Sequence, residues 1–138
     1  MKKLQITLGT LLLLIFAGAA CNVIAQEKVQ PAHESFVYNA EDQVTVEGTV
    51  QEVRDYKCPV TGTVGSHITV KTLAGALEVH LAPAAFLKDN EMVFHAGDQV
   101  KLVGAKIQFE GKPALLAKTA TVGHTTFTFR DAKGNPIW

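Results

Sequence analysis

Two histidines and one cysteine have side chains and a spacing that could hold a metal ion. His67 and His80 fall in two alternating segments that predict adjacent strands, and Cys58 lies in the loop before them. Imidazole nitrogen and thiolate sulfur are ligands that zinc and copper accept. The sequence therefore predicts a copper or zinc site at His67 and His80, with Cys58 as an optional third ligand. The alternative is an ordinary half-exposed sheet face, on which the imidazoles form hydrogen bonds with Thr69 and Glu78.

A second group of residues could contact an organic ligand. Tyr56 lies in the predicted loop before the hairpin, and Lys71 lies on the same strand as His67. An aromatic ring beside cationic groups can stack on a sugar or a base. We therefore predict ligand contacts at Tyr56 and Lys71, with a small ligand, a glycan or a peptide as the partner. Simple packing of Tyr56 within its loop is the alternative.

Catalysis and nucleic-acid binding are both disfavoured by the sequence. It has no G-x-S-x-G, H-E-x-x-H or C-x-x-C motif, no phosphate loop and no dinucleotide fingerprint. The 13 basic and 13 acidic residues give a formal charge of zero, without the basic excess of a nucleic-acid-binding surface. We therefore expect a non-enzymatic binding module, with an oligosaccharide- or oligonucleotide-binding domain as a further alternative.

Apolar and polar residues alternate over most of the chain after residue 42, which is typical of half-buried strands. The predicted order is a strand at 43–53, a loop at 54–65, a hairpin at 67–81, a short helix at 83–90, and strands at 100–109, 114–122 and 125–130. If the apolar side chains of the two strands lie opposite each other on the core face of the hairpin, Ile68 pairs with Leu81. His80 then lies opposite Thr69 and diagonal to His67, on the outward face.

This order of elements matches an OB-fold, an all-β Greek-key barrel of five to six strands with a short helix between strands three and four. We place this domain at 43–138 and a polar leader at 26–42. Gly48 and Gly104 suit the sharp strand bends of a small barrel. Trp138 is expected to be buried as a cap on one end. A flat two-sheet sandwich is the alternative fold.

The first 25 residues are typical of a secretory signal. Lys2 and Lys3 precede an apolar run that is too short to span a bilayer. Cleavage after Ala25 and lipidation of Cys21 are both compatible with the residues that follow, so the protein is expected to be periplasmic or anchored in the bacterial envelope through Cys21. Cys58 would then be the single thiol of the mature domain, which excludes an internal disulfide.

Four segments resemble exported bacterial OB-fold proteins, including the small domains of magnetosome-associated proteins and, more remotely, the bacterial OB-fold stress family. The segments are Val46-Glu47-Gly48-Thr49-Val50, Glu78-Val79-His80-Leu81-Ala82-Pro83, Gly97-Asp98-Gln99-Val100 and the ending from Phe129-Arg130-Asp131 to Pro136-Ile137-Trp138. The resemblance covers residues 43–138. It implies an OB architecture and the binding of small ligands or a role in envelope stress, and it brings no catalytic residues.

Overall fold

The computed structural model of the chain describes residues 36–59 and 61–138. The predicted signal segment, including Cys21, and the first part of the predicted leader lie outside the described residues. The elements are a 3₁₀ turn (Ala40–Asp42), β1 (Gln43–Lys57), β2 (Val64–Thr72), β3 (Gly75–Pro83), α1 (Ala84–Asp89), β4 (Gln99–Phe109), β5 (Lys112–Val122) and β6 (Thr125–Thr128). The predicted all-β class and the short helix after the third strand are confirmed.

The six strands form one sheet in the order β3-β2-β1-β4-β5-β6, and neighbouring strands in this order are antiparallel. A parallel pairing between β3 and β5 joins the sheet to itself, so that five strands form a ring. β6 continues the sheet beyond β5. The alternative of a flat two-sheet sandwich is therefore wrong.

β1 is longer than the predicted first strand. Arg54 to Lys57 were assigned to a loop, but they remain paired with β2, with Arg54 opposite His67 and Lys57 opposite Val64. The prediction failed because this part of the strand has polar side chains on both faces, which removes the alternation. One consequence matters for function: Tyr56 is a strand residue, fixed opposite Gly65.

The interior of the ring holds the main core, which we call the inner core. Its largest fully buried members are Val50, Ile68, Val70, Val79, Leu81, Leu102, Leu115 and Phe129. Close backbone approach shapes this interior at Gly104, where a Cβ atom would lie 2.5 Å from the carbonyl oxygen of Leu116. Only glycine fits so near a neighbouring strand.

The register of the β2–β3 hairpin differs from the predicted one by two residues. Ile68 lies opposite Val79 and not Leu81, and His67 lies opposite His80. Thr72 pairs with Gly75, whose φ of 121° is accessible to glycine, so only two residues form the turn. Alternation decides which face a residue occupies, but a shift of two residues preserves that face, and the turn decides between the two registers.

A second apolar cluster, the outer cluster, lies on the opposite face of β4 and β5. It consists of Ile107, Phe109, Ala114 and Leu116, with Phe36, Tyr38 and Tyr56 packed against them. The described end of the predicted leader therefore contacts the sheet. Trp138, predicted to be a buried cap, is 44% exposed and packs beside Phe86 and Arg130.

No helix among residues 36–59 and 61–138 combines the length and apolar character needed to cross a bilayer.

Candidate metal centre and its cavity

The two histidines predicted as ligands face each other on β2 and β3. Their ring centroids are 4.4 Å apart at an interplanar angle of 72°. The predicted diagonal arrangement was wrong, because His67 and His80 are directly opposite. The alternative of a half-exposed face was wrong as well, because the two residues are only 3% and 5% exposed. They point away from the inner core, as predicted, but aromatic rings cover them: Tyr56 stacks on His67 at 4.0 Å, and Phe36 and Phe109 contact His80 edge-on.

Glu78 joins the two histidines as a third candidate ligand. It lies two residues before His80 on β3, and therefore on the same face of the strand. Its Oε1 atom is 3.5 Å from Nδ1 of His67, and one ligand atom from each of the three side chains lies within 4.8 Å of the other two. The sequence predicts Glu78 only as a hydrogen-bond partner of the imidazoles. The signal that could have identified it is the Glu-x-His spacing on a strand that pairs with another histidine.

Tyr56 orients this carboxylate. Its hydroxyl donates a hydrogen bond of 2.6 Å to Oε1 of Glu78 while its ring stacks on His67. Burial and the neighbouring carboxylate raise the pKa of the Tyr56 phenol, so it remains a donor at neutral pH. Arg54 lies 4.0 Å from the other carboxylate oxygen and 5.9 Å from the centre of the Tyr56 ring.

Each histidine has a buried nitrogen that finds no hydrogen-bond partner among the described residues: Nδ1 of His67 and Nε2 of His80. The separation of 3.5 Å from His67 to Glu78 is too long for a good hydrogen bond. Burial lowers the pKa of His67, and burial together with the nearby His67 lowers the pKa of His80 to about 4. Both imidazoles are therefore neutral at pH 7, which is the form that binds metal ions.

The spacing of these atoms suits a small cation. Zinc bonds of about 2.0 to 2.1 Å place the ligands of a tetrahedral site about 3.3 Å apart. The nitrogen of His67 and the oxygen of Glu78 are already near that separation, at 3.5 Å. The widest separation in the group is 4.8 Å at most, so a side-chain shift of at most about 1.5 Å closes the set.

The other predicted site residues do not join this group. Cys58 is buried and lines the same cavity as both histidines, but its sulfur is not among the three clustered ligand atoms. It belongs to a tight turn, in which its N–H donates to Thr63 and its carbonyl accepts from Gly62. Lys71 lies four residues beyond His67 on β2, about 13 Å along the strand, and is exposed. The sequence does not show which of these side chains lies near the histidines, because that depends on the conformation of the loop and on the strand register.

The histidines form part of the wall of a cavity of 440 Å³. It extends from β2 and β3 to the chain end, where Arg130 and Trp138 lie, and the outer cluster contributes Phe36, Tyr38 and Leu116. The buried polar side chains of the described residues are Ser66, His67, His80 and Arg130. All four line this cavity.

No curated protein matches the chain. The model of the MamS/MamX magnetosome protein family matches residues 42–127. The matched segment runs from the end of the 3₁₀ turn to β6 and includes His67, Glu78 and His80. It covers well over half of the 138 residues, and it bears out the resemblance to magnetosome-associated domains. The chain therefore belongs to the MamS/MamX magnetosome protein family.

Proposed function

We propose that this protein is a non-enzymatic metal-binding module of the bacterial envelope, in which His67, Glu78 and His80 hold one divalent transition-metal ion. The observation that carries the proposal is the convergence of three ligand atoms within 4.8 Å, with a buried and unpartnered nitrogen on each histidine. A buried polar atom without a partner is unfavourable in a folded protein. A bound cation would give both nitrogens a partner.

The donor set favours zinc or copper(II). Two imidazole nitrogens and one carboxylate oxygen suit both ions, whereas copper(I) prefers thiolate or thioether sulfur. Cys58 lies outside the group, which disfavours copper(I). The three side chains leave the fourth position of a tetrahedral site for water or another ligand.

The side chain that holds the ligands in place supports the same proposal. Tyr56 donates to Glu78 and covers one face of His67, so two of the three ligands are held in place by one side chain. Partners of this kind fix the orientation of metal ligands and increase affinity.

The architecture and the location are part of the proposal. A closed ring in the order β1-β2-β3-β5-β4, with a helix between β3 and β4, supports an OB-fold barrel. The signal sequence predicted at residues 1–25 supports export, with lipidation at Cys21 or cleavage after Ala25. The absence of catalytic motifs from the sequence favours binding over catalysis.

The alternative of a glycan- or nucleic-acid-binding surface has less support. Tyr56, the ring predicted to stack on such a polymer, is already stacked on His67 and bonded to Glu78. An engaged ring offers little free face for a sugar or a base.

Metal titration of the mature protein tests the proposal. We expect Zn²⁺ to bind with a stoichiometry of one by isothermal titration calorimetry, and Cu²⁺ to show nitrogen couplings in its electron paramagnetic resonance spectrum. Glu78→Gln should weaken Zn²⁺ binding by about 100-fold, and the double variant His67→Ala with His80→Ala should abolish it.

His124→Ala is the matched control, because His124 is exposed in the turn between β5 and β6. It should bind Zn²⁺ as the unmodified protein does. Circular dichroism would verify that each variant is folded. Absence of binding by the unmodified protein, or unchanged binding by the folded double variant, would refute the metal site.

A further inference from the structure

Arg130 is a buried cation that has no anionic partner among the residues that the structure describes. It follows β6 and is 7% exposed. Its Nη1 atom donates a 3.0 Å hydrogen bond to the carbonyl of Gly134, whereas the buried Nε atom has no partner in the described part of the chain. Of the residues that the structure describes, none places a carboxylate oxygen within 4.0 Å of this guanidinium. Burying an unpaired charge is unfavourable, so the site is suited to an anion.

The neighbouring carboxylate is committed elsewhere. Asp131 accepts hydrogen bonds from the backbone N–H groups of Lys133 and Asn135 and from the side-chain amide of Asn135, at 2.8 to 3.0 Å. These bonds close the turn that presents the Gly134 carbonyl to Arg130. The turn therefore fixes the guanidinium and keeps the adjacent acid from neutralising it.

Two aromatic rings flank the same guanidinium. The ring centres of Tyr38 and Trp138 lie 5.8 and 5.1 Å from its central carbon. Ring faces attract a cation and restrict its orientation, but they do not use its N–H groups. The edge formed by Nε and Nη2 is the fork that grips a carboxylate through two parallel hydrogen bonds. Nε has no hydrogen-bond partner among residues 36–59 and 61–138.

Arg130 lines the 440 Å³ cavity, whose walls combine positive charge with apolar surface. Lys133 is a second cation in the wall, and among the lining residues that are described there is no aspartate or glutamate. Phe36, Leu116 and Trp138 supply apolar surface. This volume lies within the usual range of small-molecule sites, which are mostly apolar with a few polar groups that fix orientation.

We infer that this cavity binds a small organic carboxylate with an apolar body. The carboxylate accepts hydrogen bonds from Arg130, and the apolar body lies against Phe36, Leu116 and Trp138. The positive charge favours an anion, and the planar guanidinium favours a planar carboxylate over a tetrahedral anion such as phosphate. The apolar wall favours a carboxylate with a hydrocarbon chain or ring over acetate. The site does not require a metal ion, so it is independent of the function proposed above.

Nuclear magnetic resonance of the metal-free mature protein, prepared with a chelating resin, tests this inference. Arg54 and Arg130 are the two arginines of the sequence, so the Nε–H region reports the proposed site and an internal control. We expect hexanoate to shift the Arg130 signal in a saturable manner and to leave the exposed Arg54 signal unchanged. Hexanamide and acetate should each bind at least about ten-fold more weakly, for lack of charge and of apolar body respectively.

Arg130→Gln should weaken hexanoate binding by at least about ten-fold, whereas Lys106→Gln, which removes an equal charge from an exposed position on β4, should not. If Arg130→Gln does not fold, the Nε–H shifts of the unmodified protein decide the question. Equal binding of hexanoate and hexanamide, equal shifts at both arginines, equally tight binding of inorganic phosphate, or binding that requires added Zn²⁺ would each overturn the inference. The first three outcomes are measured without metal and leave the zinc proposal unaffected, and the fourth would assign hexanoate binding to the metal site.

Discussion

Leu115 and Leu116 are neighbours on β5, yet they belong to regions with different chemistry. Leu115 points into the inner core, which is filled by aliphatic side chains and Phe129. Leu116 points to the outer cluster, where aromatic rings, two histidines and Arg130 surround a cavity. Both leucines are buried, so burial alone does not distinguish the two faces of the strand.

The difference lies in the polar atoms. Each buried polar side chain of the described residues lines the outer cavity, and three of them carry a side-chain nitrogen without a partner. The inner core is closed by the ring of strands and needs only apolar side chains. The 440 Å³ cavity beside the outer cluster is covered by segments that are distant in sequence. These segments leave empty volume beside polar side chains whose burial is unfavourable. This contrast suggests that the inner core supports the fold and the outer cavity binds ligands.

The largest expected effect separates the two leucines. Leu115→Ala should lower the free energy of unfolding by about 3 to 4 kcal/mol, because it creates a cavity in a closed core. Leu116→Ala should lower it by about 2 kcal/mol, since its side chain borders space that already exists. Urea denaturation of both variants measures the difference. The reverse order would contradict the assignment of the two regions.

Acid should destabilise the metal-free protein through the outer region. The folded-state pKa of His80 is about 4, below its ordinary 6.5, because it is buried and faces His67, with Glu78 opposing the shift. The unfolded chain therefore binds a proton first, and stability should fall as pH decreases from 6.5 towards 4. Urea denaturation at several pH values checks this. His80→Leu should flatten the slope over this range, and an unchanged slope would exclude His80 as a source of it.

His80→Leu should also change the stability of the protein at pH 7, by less than Leu115→Ala does. It replaces a buried imidazole, whose Nε2 has no partner, with an apolar side chain of similar size. We expect the metal-free protein to gain about 1 to 2 kcal/mol of stability while Zn²⁺ binding is lost. Thermal unfolding with and without Zn²⁺ measures both quantities. A loss of stability as large as that of Leu115→Ala would show that His80 acts as a core residue.

The smallest expected effect concerns Tyr56. Tyr56→Phe keeps the ring on His67 but removes the hydrogen bond to Glu78, so we expect about ten-fold weaker Zn²⁺ binding and a loss of about 1 kcal/mol in stability. Tyr38→Phe is the matched control, because it removes a hydroxyl bonded to Gln43, outside the metal group. Calorimetry should show unchanged Zn²⁺ affinity for that control.

Much of the fold could be predicted from local patterns. Alternation located the hairpin, and Pro83 followed by Ala84 located α1, because side-chain period and helix-start signals need no distant partner. The same pattern failed at Arg54 to Lys57, where pairing with β2 maintains a strand that has no hydrophobic alternation. Alternation is compatible with two hairpin registers that differ by two residues, and the turn at Gly75 decides between them.

The site was predictable only in part. His67 and His80 could be placed on neighbouring strands and on one face, whereas Glu78 was not recognised as a ligand, and Cys58, the optional third ligand, lines the same cavity without joining the group. Glu78 enters the group because His67 and His80 are directly opposite, which the predicted diagonal register concealed. The distance of Cys58 depends on a tight turn that composition does not specify.

The amino-acid sequence determined which face of each strand a side chain occupies, since neighbouring side chains on a strand point in opposite directions whatever the partner. The tertiary structure alone decided that the outward histidines are buried. Phe36, Phe109 and Tyr56 come from separate parts of the chain and cover the two rings only when the strands close into a ring and the N-terminal segment lies across it. Such burial arises from contacts between residues far apart in sequence, and these depend on the closed fold as a whole.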